Sequence, residues 1–261
     1  MIKPELKEIE SWAREIGQVL KGMQFEDLQT EHKSKADLVT KADKLSEAFL
    51  KGKVLQAFPD HTIMAEESGL QQGNPEHQWF IDPLDGTLNY AHGLPIYAIS
   101  IAYAYKGQLQ MGVIYAPNLD EMFTAEAGKG AQLNGKPIHA SGTAQMIDAM
   151  LITGFRFHLL DTPRSNIDNF VNLSHLVQSV RRLGSAALDL AYVACGRVEG
   201  FWEISLFPWD AAAGILLVRE AGGIAEPLYE SKSLLEGSPS LLAANAALFG
   251  TIKNVLETKK Y

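Results

Sequence analysis

The sequence predicts a mixed α/β fold, of the α+β kind, with sheets and helices stacked in layers. Three observations carry this. Two helix-like patterns open the chain, strand-like runs crowd residues 61 to 138, and strands alternate with helices after about residue 149. The chain has 261 residues, 46% hydrophobic and 21% charged, an ordinary globular balance. A chain of this length buries roughly 75% of its unfolded surface. A boundary near residues 140–150 is expected, giving an N-terminal half (1–145) and a C-terminal half (146–261) of one compact unit.

The elements follow in order. Residues 4–22 form an amphipathic helix with Leu6, Ile9, Trp12, Ile16 and Leu20 on one face. A second helix runs from Thr40 to about Phe58 and is stopped by Pro59. HTIMAEE and QWFIDPL are strands. IYAISIAYAY and LQMGVIYAP form a long hairpin about Lys106-Gly107. EMFTAEA and AQLNGKPI add a pair, with Asn134-Gly135 as turn residues. AMLITGF is then a strand, 165–180 a helix, SAALDLAYVACG a helix, and VEGFWEIS a strand. AAAGILLVREAGG is a helix, SLLAAN a strand, and AALFGTIKNVLE the last helix.

Net charge is -8, so a nucleic-acid-binding basic face is not expected. An acidic protein can still handle an anionic substrate if a metal cation supplies positive charge. The lone cysteine, Cys195, reads as a small buried hydrophobe, and one cysteine excludes an intrachain disulfide. The N-terminus lacks the apolar core of a signal peptide, and no apolar run reaches about 18 residues. A cytoplasmic protein with no membrane association is expected.

The chemistry points to WFIDPLDGTLNYAHG, residues 79–93. An apolar strand ends there in Asp82-Pro83-Leu84-Asp85-Gly86-Thr87. Pro83 fixes φ. Gly86 removes a side chain where a ligand could approach the backbone. A short helix beginning at Thr87 would present free N–H groups to an anion. Two carboxylates about 4 Å apart repel by roughly 4 kcal/mol at an effective dielectric near 20, which a proton or cation relieves. A surface Asp-Gly turn is the plainer reading. Further acids stand at similar places: Glu66 and Glu67 after an apolar run, Asp210 at a helix start, and Asp43 three residues after Thr40. Capping explains Asp210 and Asp43 structurally and can coexist with function. Hard oxygen donors suit Mg²⁺ or Mn²⁺ rather than zinc. The sequence has no H-x-x-x-H pair, no G-x-S-x-G elbow and no G-x-x-x-x-G-K-[ST] loop.

AEES, DPLDGT and PWDAAAG, with KSKADLVTKAD, GKGAQLNG, GSAALDLAYVACGRVEGFWE and VREAGG, resemble the inositol monophosphatase family of metal-dependent phosphatases over nearly the whole chain. The resemblance implies an α-β-α-β-α sandwich, Mg²⁺ dependence with two or three ions per site, and a homodimer. It places Glu66, Asp82 and the Leu84 carbonyl on a first metal, and Asp82, Asp85 and Asp210 on a second. A weaker third metal would sit near Glu66, with Glu67 just outside the site. Thr87 and Asp43 match the pair that orients the attacking water. Gly86 and Thr87 would offer N–H groups to phosphate. Glu203 and the Gly184-Ser185-Ala186 segment match positions touching the substrate's alcohol part.

Leu88, Asn89 and Tyr90 after the D-G-T resemble the inositol monophosphatase branch and imply an inositol-1-phosphate phosphatase of relaxed specificity. Alternatives are fructose-1,6-bisphosphatase or NADP phosphatase activity, for which Arg156, with Lys35 and Arg164 behind it, is the candidate cation. Some bacterial relatives act as binding partners in ribosomal RNA transcription, which keeps a non-catalytic role open. The polar segment 23–39 resembles the family's mobile loop. Trp202 and Trp209 read as core or cavity lining.

Overall fold

The computed structural model describes residues 3–258 except 27, 29, 35, 36, 163, 164 and 230–232. Lys35 and Arg164 therefore lie outside the described residues. Helix α1 (Leu6–Met23) buries the expected stripe of Ile9, Trp12, Ile16 and Leu20. A small hairpin of β1 (Glu31–Ser34) and β2 (Asp37–Val39) occupies part of the segment read as a loop. Helix α2 (Lys41–Ala57) starts at a Thr40 N-cap.

An eight-stranded sheet follows: β3 (His61–Ala65), β4 (Gly69–Gln71), β5 (Asn74–Asp85), β6 (Ala98–Tyr105), β7 (Gln108–Ala116), β8 (Glu121–Glu126), β9 (Gly130–Leu133) and β10 (Lys136–Ile138). Its order is β10-β9-β8-β7-β6-β5-β3-β4, with only β3 and β5 parallel. A short helix α3 (Thr87–Ala91) interrupts the run after β5.

The second half holds β11 (Met150–Thr153), α4 (Ile167–Ser174), β12 (Ser179–Arg181), α5 (Ala186–Ala194), β13 (Gly200–Glu203), α6 (Pro208–Glu220), β14 (Ile224–Pro227), β15 (Leu241–Ala244) and α7 (Phe249–Thr258). Its five strands are ordered β12-β11-β13-β15-β14.

Side-chain alternation stacks these elements. In β5, Trp79 and Ile81 face α1 and α2, while Phe80 faces the opposite way. In β6, Ile99, Ile101 and Tyr103 join the first cluster, and Ala98, Ala102 and Ala104 the second. Helices α5 and α6 fill the space between the sheets, and α4 and α7 cover the small sheet's outer face through Leu173, Ile252 and Leu256. The layers are thus α1/α2, large sheet, α5/α6, small sheet, α4/α7, the α-β-α-β-α sandwich. Small residues permit the central packing: a Cβ on Gly214 of α6 would stand 2.4 Å from the Leu190 Cβ of α5.

Four local readings change. The helix expected over 165–180 ends at Ser174, because Ser179–Arg181 pairs in parallel with β11 at the sheet edge. A strand-pairing opportunity there overrides a continuing helical pattern. The helix expected from Ala211 begins at Pro208, since proline is well suited to a first helical position. Strands β4 and β14 are too short to show an alternation; β14 ends on Pro227 at an edge, where a missing donor costs no ladder bond. Cys195 is half-buried rather than buried, because it follows the last residue of α5. No helix among the described residues is long and apolar enough to cross a membrane.

Candidate active site

The strands and helices leave a cavity of about 620 Å³ at the end of the large sheet where β5 gives way to α3. Its walls carry Glu66, Asp82, Leu84, Asp85, Gly86 and Thr87 from one side, and Gly184, Ser185, Ala186, Glu203 and Asp210 from the other. Residues 120 positions apart or more, such as Asp82 and Asp210, are so placed on one wall system. Arg156, Arg182 and Asp189 also line it.

One face of α2 fixes the acid-bearing turns. Asp43, Ser46 and Glu47 lie three and four residues apart, hence on the same side. Ser46 Oγ donates to the Pro83 carbonyl (2.8 Å), and Glu47 accepts from the Glu67 and Ser68 N–H groups (2.7 and 3.0 Å). Asp43 closes a tighter network. Its Oδ2 accepts from the Thr40 N–H (2.7 Å) and the Thr40 hydroxyl (2.6 Å). Its Oδ1 lies 2.9 Å from the Thr87 hydroxyl, which is also 3.0 Å from the Leu84 carbonyl. The capping expectation for Asp43 therefore holds together with a place in the site. Burial pushes the Asp43 carboxyl up, while hydrogen bonds from Thr40 and Thr87 pull against that.

Gly86 lies at φ +94°, and a Cβ there would stand 2.9 Å from the Ile96 carbonyl, so only glycine fits. Asn89 ties this turn to the other half of the chain: its Nδ2 donates to the Ile96 and Leu183 carbonyls, both at 2.8 Å. The Gly184-Ser185-Ala186 segment is thereby held against α3.

The acids are crowded and dry. Asp82 is 2% exposed and accepts the Leu84 N–H at 3.0 Å. Burial, followed by the charges of Glu66, Asp85 and Asp210, raises its carboxyl well above the usual range. Asp85 is pushed up to about 6 by burial, although its Oδ2 accepts from Ser185 Oγ (2.6 Å) and the Ala187 N–H (2.7 Å). Glu203 is pushed up to about 7 by burial, with Arg156 pulling the other way. Asp210 is the third residue of α6 and accepts the Phe207 N–H at 3.0 Å, a helix-start role one turn inside the expected one. The same Oδ2 pairs closely with Arg156 Nη2, and Arg156 Nε stands 3.8 Å from Glu203.

Among the described residues the donor set suits a hard divalent cation: carboxylates and a backbone carbonyl, with no sulfur and no imidazole in the lining. A buried acid whose nearest charged neighbours are acids is relieved only by a proton or a cation. Among the described residues, no three acidic, histidine or cysteine side chains are arranged to hold a metal as they stand. Asp85 is turned to Ser185 and Ala187, and Asp210 to Arg156. Glu67 does not line the cavity; its N–H is held by Glu47. Trp202 is fully buried under the site, with Nε1 donating to Asn166 Oδ1 at 2.7 Å, and Trp209 stacks on Phe207 at 4.7 Å. Ser46, Glu47, Arg182 and Asp189 escaped the sequence reading. For Ser46, Glu47 and Asp189 the available signal was a polar residue standing where a helix buries its face.

A layered α/β fold with an acid-lined, hard-oxygen cavity at a strand end defines the class. The chain belongs to the inositol monophosphatase family, whose sequence pattern matches residues 2–259. It is 44% identical over 230 residues to the inositol-1-monophosphatase of Synechocystis sp., covering 87% of this chain and 80% of that protein. It is 47% identical over 198 residues to the Nus factor SuhB of Escherichia coli, covering 76% of this chain and 74% of that one. The crystal structure of the extragenic suppressor protein suhB from Bartonella henselae superposes with a TM-score of 0.91 at 36% identity, covering 97% and 98% of the two chains.

Proposed function

We propose that the protein is a Mg²⁺-dependent phosphomonoesterase that hydrolyses inositol-1-phosphate to inositol and phosphate by direct attack of water, with relaxed specificity. The observation that carries this is the Asp43–Thr87–Leu84 network set beside the buried acids Asp82 and Asp85. Glu66, Asp82 and the Leu84 carbonyl would hold one cation; Asp82, Asp85 and Asp210 would hold another, with Mn²⁺ an acceptable substitute and a third ion near Glu66. When bound, such cations supply Lewis acidity, acidifying water and neutralising charge on the phosphoryl group.

The protein's own residues do the positioning. The single Thr87 hydroxyl proton lies between two acceptors. When the Leu84 carbonyl turns to other work, the proton goes to Asp43, and a Thr87 lone pair is left to accept a hydrogen bond from the attacking water. Thr40 grips the far oxygen of Asp43 twice, so the pair cannot swing away. This is catalysis by orientation. Gly86 and Thr87 N–H groups receive phosphate oxygens, and Glu203 with the 184–186 segment receives the alcohol part. Arg156 pairs with Asp210 and stands 3.8 Å from Glu203; a cation taken up by Asp210 would release it toward the cavity, where it is the candidate cation for a second phosphate.

The test is phosphate release with Mg²⁺ against inositol-1-phosphate, fructose-1,6-bisphosphate, NADP and 3′-phosphoadenosine 5′-phosphate. Turnover highest on the first supports the proposal. No turnover on any, in metal-replete protein, supports the second reading suggested by the relatives named Nus factor SuhB, a partner role in ribosomal RNA transcription. The proposal carries with it a cytoplasmic homodimer, checked by fractionation and by light scattering.

A further inference from the structure

Asp189 has no part in the scheme above, yet it lines the same cavity. It is 2% exposed, and its Oδ1 is buried without any hydrogen-bond partner. Such an atom is costly and rare in a folded protein. The local donors explain why it is stranded. Asp189 sits in the first turn of α5, where spare N–H groups and the Ser185 hydroxyl are its natural partners. Asp85 takes two of them: Ser185 Oγ and the Ala187 N–H both donate to it. The Leu188 N–H donates to Ser185 Oγ. Arg156 Nη2 is engaged with Asp210, while its Nε stands 3.8 Å from Glu203 without a hydrogen-bond partner. No ion pair joins Asp189 to a described cation; burial, then the charges of Glu203 and Asp85, raise its carboxyl well above the usual range, with Arg182 pulling the other way. Among the described residues no hydrogen bond reaches Asp189 Oδ1, and a molecule in the cavity that Asp189 lines could supply one.

We propose that Asp189 is a specificity-determining residue that accepts hydrogen bonds from hydroxyl groups on the alcohol part of the substrate, alongside Glu203. The ligand class is a polyol. Two carboxyl groups on one wall offer up to four acceptor oxygens, which match adjacent ring hydroxyls, each a neutral donor. The inference rests on the phosphatase reading, and its test separates the two.

Asp189→Leu removes the acceptor at nearly constant size, and Asp189→Asn keeps a weaker, neutral one. Each is compared with the unaltered protein on inositol-1-phosphate and on p-nitrophenyl phosphate, which has no hydroxyls to recognise. The expected result is about a tenfold rise in KM for inositol-1-phosphate with Asp189→Leu, about the size of one hydrogen bond. Asp189→Asn should fall between, and kcat/KM on p-nitrophenyl phosphate should stay within about twofold. A parallel melting experiment with added myo-inositol needs no turnover: the unaltered protein should gain stability and Asp189→Leu should not. Equal losses on both substrates, or undiminished protection by inositol, would overturn the assignment. Lack of turnover by the unaltered protein on both esters would instead contradict the phosphatase reading, and the melting experiment would still decide Asp189.

Discussion

Two corners of the cavity are built by opposite means. The corner of Thr40, Asp43, Leu84 and Thr87 is closed: both Asp43 oxygens have donors, and the helix that carries them is capped by the same contacts. The corner of Asp82, Asp85, Glu203 and Asp210 is crowded with acids; burial and neighbouring charge raise the carboxyls of Asp82, Asp85 and Glu203, and the corner holds Arg156 as its close counter-ion. The first corner is finished before any ligand arrives. The second is in electrostatic debt, and its acids lean on Ser185, Ala187 and Arg156 until something more positive replaces them. Rigidity suits the group that aims water; unsatisfied charge suits the groups that collect cations.

The largest test of this contrast strikes the second corner. Asp82→Asn should lower Mg²⁺-dependent turnover by about 10³-fold, or about 4 kcal/mol in the barrier. The same change should raise the melting temperature of metal-free protein at pH 7.5 by a few degrees. The sign follows from linkage. Asp82, Asp85 and Glu203 have folded-state values above their unfolded ones, so the folded form holds protons that the unfolded chain releases. The contributions of Asp85 and Glu203 to stability therefore decline as pH rises through about 6 and about 7, and that of Asp82 is lost in the same direction as pH rises through its own raised value. Scanning calorimetry of stripped and Mg²⁺-loaded protein reads this directly, since Mg²⁺ should remove the difference.

Striking the first corner should cost rate without affinity. Thr87→Ala or Asp43→Asn should reduce kcat by about 10²-fold with KM nearly unchanged, because an aimed water is lost while the cavity survives. Steady-state kinetics separates that from a general collapse. Arg156→Gln probes the link between a protein cation and an incoming one. It should reduce the Mn²⁺ concentration needed for half-occupancy by roughly three- to tenfold, about 1 kcal/mol of displaced ion pairing, read by electron paramagnetic resonance.

The smallest effect lies away from the site. His61 stacks on His77 at 4.3 Å, and its Nδ1 accepts the Trp79 Nε1–H at 3.0 Å, so the ring must stay unprotonated at that nitrogen. Burial, then His77, depresses it to about 4. Its stabilising contribution is complete above about 6.5 and is lost as pH falls toward 4, opposite in sign to the raised acids. His61→Gln should melt lower at pH 7.5 and show a shallower decline between pH 6.5 and 4.5 in thermal scans.

Much of this was legible beforehand, for physical reasons. Helix α1 and the β6–β7 hairpin are readable because one element buries a stripe and the other alternates across its pleat. The acids at strand and helix ends were readable because a buried apolar run seldom stops on two carboxylates without a use for them. The end of α4 and the start of β12 were not, since pairing with β11 is a tertiary event. Nor could the sequence say that Arg156 would lie on Asp210, 54 residues away, or that Asp85 would consume the donors Asp189 lacks. Such assignments depend on which of several partners wins a shared donor, and only geometry decides that.

The most direct trial is a crystal soaked in Mn²⁺ and measured for anomalous scattering. The account predicts peaks between Glu66, Asp82 and the Leu84 carbonyl, and between Asp82, Asp85 and Asp210, with Arg156 displaced from Asp210. A cavity without peaks at saturating Mn²⁺, with Asp85 still on Ser185 and Asp210 still on Arg156, would contradict it.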